Sequence, residues 1–154
     1  MGIIHAGLAP VIEIADVRPN LALVAVVLVT TQLGFGPGIV WAFAAGLTAN
    51  LLALDPLGSV PLSLLLVTVL VVAGHGLLGR LTWVYPVVAT LVGSVVADVV
   101  MLGVYRLVET PLQVGVPFDL ILPAAVLNAA IAGLLIYPAR LAALRLRPEE
   151  KAAW

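Results

Sequence analysis

The residues able to do chemistry are few and widely spaced. Two histidines, His5 and His75, lie far apart with no third metal ligand near either. A zinc hydrolase needs an H-E-x-x-H pair and a phosphate cradle needs G-x-x-x-x-G-K-[ST]; the chain contains neither. Cysteine is absent, which removes thiolate nucleophiles, disulfides and sulfur metal sites. Ser94 and His75 are the residue types of a serine protease, which needs a nucleophile and a base, but no motif frames them. An aspartyl protease needs two carboxylates at one site, and Asp98 is alone deep in an apolar run. This inventory predicts a protein that is not an enzyme and uses no cofactor or metal.

The elements that hold these residues follow from composition. Of 154 residues, 63% are hydrophobic and 10% charged, and the mean hydropathy is +1.23. Soluble domains run at roughly 45–50% apolar and about 25% charged. A 150-residue globule buries only about 70% of its unfolded surface, too little to hide this chain. The net charge of −1 leaves no basic stripe for nucleic acid. Apolar runs are continuous rather than alternating, so helices are expected and not an outer-membrane barrel.

Glycine, proline and charge punctuate the runs. They predict spans at 20–34, 38–54, 60–79, 83–106 and 119–139, with a cytoplasmic basic tail at 140–154. Gly34 to Gly38 reads as a tight breaker and 107–118 as the longest loop. Trp83 and Tyr85 suit an interfacial belt. Residues 1–17 are interrupted by His5, Pro10, Glu13 and Asp16. They read as the outer part of a partial first helix whose inner half is missing, or as a re-entrant or surface-lying helix. The fold class is an all-α polytopic membrane bundle of five full spans plus that partial helix. Arg140, Arg145, Arg147 and Lys151 place the C-terminus in the cytoplasm by the positive-inside rule. Arg80 is then inside, while Arg18, Asp55 and Arg106 are outside.

Polar residues inside spans are costly and therefore informative. Asp98 lies about eight residues from the outer end of its span, roughly 12 Å deep. Asn128 lies at similar depth in the last span, so the two are expected to be neighbours facing the bundle interior. Asn50 lies nearer the outer end of the second span. Interhelical hydrogen bonds are one use for these groups; a polar cavity open to the outside or a partner contact is the other. Small residues share faces: Ala42, Gly46 and Asn50; Ala89, Gly93 and Ala97; Ala125, Ala129 and Gly133. Such faces let helix backbones approach closely.

Four stretches, in order, resemble the MreD family of bacterial rod shape-determining membrane proteins. Arg18-Pro19-Asn20 opens an apolar span, as the family's R-P-[ND] signature does. Gly46 to Gly58 reads GLTANLLALDPLG, similar to the family's G-x-x-x-D-x-x-x-x-x-x-L-G, and includes Asp55, Pro56 and Leu57. Ser94 to Asp98 matches an intramembrane Asp. Leu127-Asn128 is followed by Tyr137-Pro138-Ala139-Arg140 before the tail. Asn50 stands where the family usually has Asp, and the family has a complete span before R-P-N.

The resemblance implies a six-helix fold similar to the substrate-binding subunits of energy-coupling-factor transporters. It implies work in the bacterial cytoplasmic membrane on cell-wall elongation, without catalysis. The direct partner would be an MreC-like single-span protein, with MreB, a RodA-type glycosyltransferase and a class B penicillin-binding protein reached directly or through it. The rival expectation is a small-molecule-binding transporter subunit with Asp98, Asn128 and Asn50 as ligand contacts. For the scaffold, the partner helix is expected near the first or second span, with Arg18 at its outer exit and Gly46 on the contact face.

Overall fold

The computed structural model describes residues 19–53, 55–78, 80, 83–108 and 118–146. Expectations for residues 1–17, Arg18, most of the 107–118 loop and the tail beyond Leu146 lie outside the described residues. Every described regular element is a helix: α1 Leu21–Leu33, α2 Phe35–Leu52, α3 Ser59–Leu78, α4 Val84–Leu107 and α5 Phe118–Leu146.

The four helices α2 to α5 are long and apolar enough to cross a bilayer. The first expected span is not. Helix α1 has 13 residues, roughly 20 Å at 1.5 Å per residue, against a hydrocarbon core of about 30 Å. Both of its ends are chemically fixed. The Asn20 side chain accepts the Leu23 N–H at 3.0 Å, a side-chain N-cap. Gly34 ends the helix with φ of +96°, a conformation that disfavours any side chain. The five full spans expected are therefore four, plus a short helix.

Two boundaries differ for local reasons. The 34–38 breaker shrinks to Gly34, and α2 begins at Phe35 with Pro37 inside its first turn. First-turn N–H groups have no intrahelical acceptor, so proline sacrifices nothing there. Helix α5 continues to Leu146 with Pro123 and Pro138 inside it, past the expected end at 139. Proline in a helix interior costs about 3 kcal/mol, and packing offsets it. Ile136 joins Val24 and Leu28 of α1 in one apolar cluster, with Ala139 against it. Ala143, beyond the proline, is buried again. Arg140 is thus helical rather than the first residue of a tail.

Helices α2, α3, α4 and α5 pack as successive neighbours, and α1 packs against all four. The long helices form an arc, and α1 lies within it. Leu23, Val26 and Val27 of α1 meet Leu64, Val67 and Val71 of α3 in the main core. The outward faces carry Trp41, Phe43, Leu66 and Leu134 largely exposed. Helices apolar on every side belong in lipid or in a core. Direction alternates along the chain. Asn20, the turn after α2 and Tyr105 lie toward one end, called here the Asp55 end. Gly34, His75, Tyr85 and Arg140 lie toward the other, the His75 end.

Small residues set the closest approaches. A Cβ on Gly46 would lie 2.7 Å from the Pro61 Cα, and one on Gly93 2.9 Å from Val67 Cγ1. Ala42, Gly46 and Asn50 are all buried on α2, and Ala89, Gly93 and Ala97 on α4. Ala125 and Ala129 are buried, whereas Gly133 is exposed.

Candidate functional site

The polar side chains gather into two knots and one terminal cluster. The first knot closes the α2–α3 turn. Asn50 is 1% exposed. Its Nδ2 donates to the carbonyls of Pro56 at 3.2 Å and Asp55 at 3.4 Å, and its Oδ1 accepts the Gly58 N–H. Gly58 has φ of +90°, which lets the chain reverse there. Pro56 O also accepts from the Ser59 hydroxyl at 2.7 Å. The Tyr105 hydroxyl donates to the Asp55 carboxylate, tying α4 to the turn. Leu57, at the tip, points away and is 83% exposed. A primary amide suits this position because one group both donates twice and accepts once.

The second knot sits where α1 begins. Because α1 is short, it begins level with Asn128 and Ser94, part-way along α5 and α4. Its backbone N–H groups lack intrahelical acceptors and must be satisfied locally. Asn20 Oδ1 takes the Leu23 N–H, and the Asn20 N–H donates to Asn128 Oδ1 at 2.8 Å. Asn128 Nδ2 donates to Ser94 Oγ at 2.7 Å. One relay thus links α1, α5 and α4. Pro19, half-buried, precedes it.

Asp98 lies one turn beyond Ser94 on α4 and is half-buried. Asp98 was expected as a neighbour of Asn128; the hydrogen bond that Asn128 makes to α4 is to Ser94, one turn earlier.

At the His75 end, the Tyr85 hydroxyl donates to the Val71 carbonyl. The His75 ring meets Tyr85 edge-on with centroids 5.4 Å apart. The Arg140 guanidinium lies 4.2 Å from the Trp83 ring centroid, a cation–π contact between α5 and the start of α4. Pro138 is exposed on the turn before it.

Asn50, Asn128 and Ser94 engage one another or backbone, and no cluster of three His, Asp or Glu occurs among the described residues. Gly46 is buried against Pro61. The expectation that it lies on a partner-facing surface is therefore corrected: the close approach it permits is used within the bundle. Sequence reasoning named Asn20, Asn50, Asp55 and Asn128 but missed Tyr105, Pro61 and the role of Ser94. A stripe at Ser94, Asp98 and Tyr105 on α4 was the available signal. Compared with protein-family models, curated proteins and solved structures, the chain matches none.

Proposed function

We propose that the chain is a non-enzymatic membrane scaffold of the bacterial cell-wall elongation machinery, similar to MreD, which binds an MreC-like single-span partner. The carrying observation is that the motif residues hold one another. Asn20 caps α1 and meets Asn128, Gly46 seats α3, and Asn50 closes the turn to Gly58. A small-molecule site would aim such groups into an open cavity; here their hydrogen bonds stay within the fold. On this reading the fold is the six-helix one that the MreD resemblance implies, similar to the substrate-binding subunits of energy-coupling-factor transporters. The Asp55 end faces outward and the His75 end the cytoplasm, in keeping with the helical Arg140 and Arg145.

MreB, a RodA-type glycosyltransferase and a class B penicillin-binding protein complete the assembly around that partner. The test is co-expression with an MreC-like protein, or with an energy-coupling ATPase module, followed by affinity capture from detergent. Capture of the MreC-like chain alone is the expected result. Capture of the ATPase module alone, or of neither, overturns the scaffold. Orientation is tested with Asp55→Cys in the cysteine-free chain. An impermeant maleimide is expected to label it from outside the cell; labelling only after the cytoplasmic face is opened reverses the topology.

A further inference from the structure

The His75 end holds two cavities side by side whose lining chemistries differ. One is a cup of about 300 Å3 between the α1–α2 turn and α3, lined by Thr30, Thr31, Phe35, Val72 and His75 among others. That volume is at the small end of the range ligand pockets occupy. The other is a groove of about 280 Å3 between α3 and α4, lined by Ala73, Gly74, Leu77, Val88 and Val92 among others. Val71 lines both. The wall between them is the His75–Tyr85 ring contact, with Tyr85 on the groove side and His75 on the cup side.

The cup offers acceptors and a histidine donor. The Thr31 hydroxyl donates back to Leu28 O, which leaves its oxygen lone pair to accept, whereas Thr30 is buried against Gly38. The cup also lies at the C-terminus of α1, the negative end of the helix dipole. Gly34 N–H takes the Thr30 carbonyl. Pro37 has no N–H to offer the Leu33 carbonyl. His75 makes no hydrogen bond among the described residues, so its imidazole N–H can donate. The groove is apolar and descends from Leu78 and Tyr85 toward Leu70 and Val92, roughly 10–12 Å along the helices.

We infer that this pair of cavities binds one phospholipid with a primary ammonium headgroup, phosphatidylethanolamine being the probe. The ammonium N–H groups meet the Thr31 oxygen and the carbonyl end of α1. The His75 N–H meets a phosphate oxygen, and one acyl chain lies in the groove. A quaternary choline headgroup has no N–H to donate, and a glycerol headgroup has no cation. The site is therefore selective by chemistry as well as by shape. This inference is independent of the scaffold reading, since it uses neither the partner nor the orientation.

The test is native mass spectrometry of the purified full chain titrated with phosphatidylethanolamine, phosphatidylcholine or phosphatidylglycerol of the same acyl composition. The expected result is one retained phosphatidylethanolamine, favoured over each of the others by about tenfold. His75→Phe, which keeps a ring against Tyr85, and Thr31→Val are expected to erase the headgroup preference. Ala73→Trp, at an exposed groove position, is expected to reduce retention of all three lipids. Equal retention of the three by the unaltered protein means annular lipid only and overturns the site, whatever the variants do. Soluble phosphoethanolamine competing as well as the lipid shows that the groove holds no chain and also overturns it.

Discussion

Replacing Gly46 by alanine tests a close approach of one helix backbone to another. The new Cβ would lie 2.7 Å from Pro61 Cα and 2.9 Å from Pro61 N. Carbon atoms rest about 3.5–4.0 Å apart, so α2 and α3 must separate by roughly 0.8 Å or more. Both obstructing atoms are backbone, so no rotamer change relieves the overlap. Overpacking of this kind costs about 1–3 kcal/mol, while alanine's better helix propensity returns about 1. Because both atoms are backbone, the upper part of that range (about 2–3 kcal/mol) applies, and the net expectation is a loss of about 1–2 kcal/mol, increased if the shift also stretches the Asn50 bonds to the turn. Gly76→Ala is the control, because a Cβ there meets nothing within 4 Å. The measurement is equilibrium unfolding in mixed micelles followed by fluorescence of the three tryptophans. A Gly46→Ala protein as stable as the unaltered one, with Gly76→Ala equal or better, would refute the close α2–α3 approach.

The other expectations concern the polar knots. Asn128→Ala leaves the Asn20 N–H without its acceptor and the buried Ser94 hydroxyl without its donor, and should cost about 1–3 kcal/mol, more than the roughly 1 kcal/mol of a lost cap in Asn20→Ala. The same unfolding assay ranks them, and the reverse order would mean the relay does not hold α1. Asn50→Asp removes both amide donors. It sets a carboxylate beside the Asp55 and Pro56 carbonyls, so stability should fall by about 1–3 kcal/mol; a rise would show that the turn is held differently. Tyr105→Phe deletes one bond to a carboxylate and should cost about 1.5–3 kcal/mol. In Asp55→Asn the cost of Tyr105→Phe should shrink, and a double-mutant cycle with no coupling would separate the two groups.

Much of the bundle was readable because burial in lipid leaves a coarse signature. Long apolar runs between Pro and Gly gave α3 as 60–79 against Ser59–Leu78 and α4 as 83–106 against Val84–Leu107. The misreadings share a cause: local punctuation was trusted where tertiary packing decides. Pro37 and Pro138 look like breaks, but one sits where no N–H is needed and the other where Ile136, Ala139 and Ala143 keep α5 on the core. The shortness of α1 was hidden because an apolar run has the same composition in lipid and in the middle of a bundle. The polar residues were identified more easily than their partners. Asn128 was recognised by its cost in a span. Its hydrogen bonds to Ser94 and to the Asn20 N–H depend on where α1 starts, which hydropathy does not encode. Tyr105 fits an interfacial belt by type, and only the fold of the α2–α3 turn brings Asp55 to it.

Helix α4 is tied at both ends to different neighbours. Near its start, Trp83 lies against Arg140 of α5. Near its finish, Tyr105 holds Asp55 in the α2–α3 turn. Between these ties runs a helix of 24 residues, roughly 36 Å long, slightly more than the hydrocarbon thickness of about 30 Å. A bilayer that thins or thickens pulls amphipathic residues at the two faces toward new depths, at a cost of a fraction of a kcal/mol per Å. Here the residues at those depths are themselves the fasteners between helices. A change in lipid chain length therefore loads the Trp83–Arg140 and Tyr105–Asp55 contacts together.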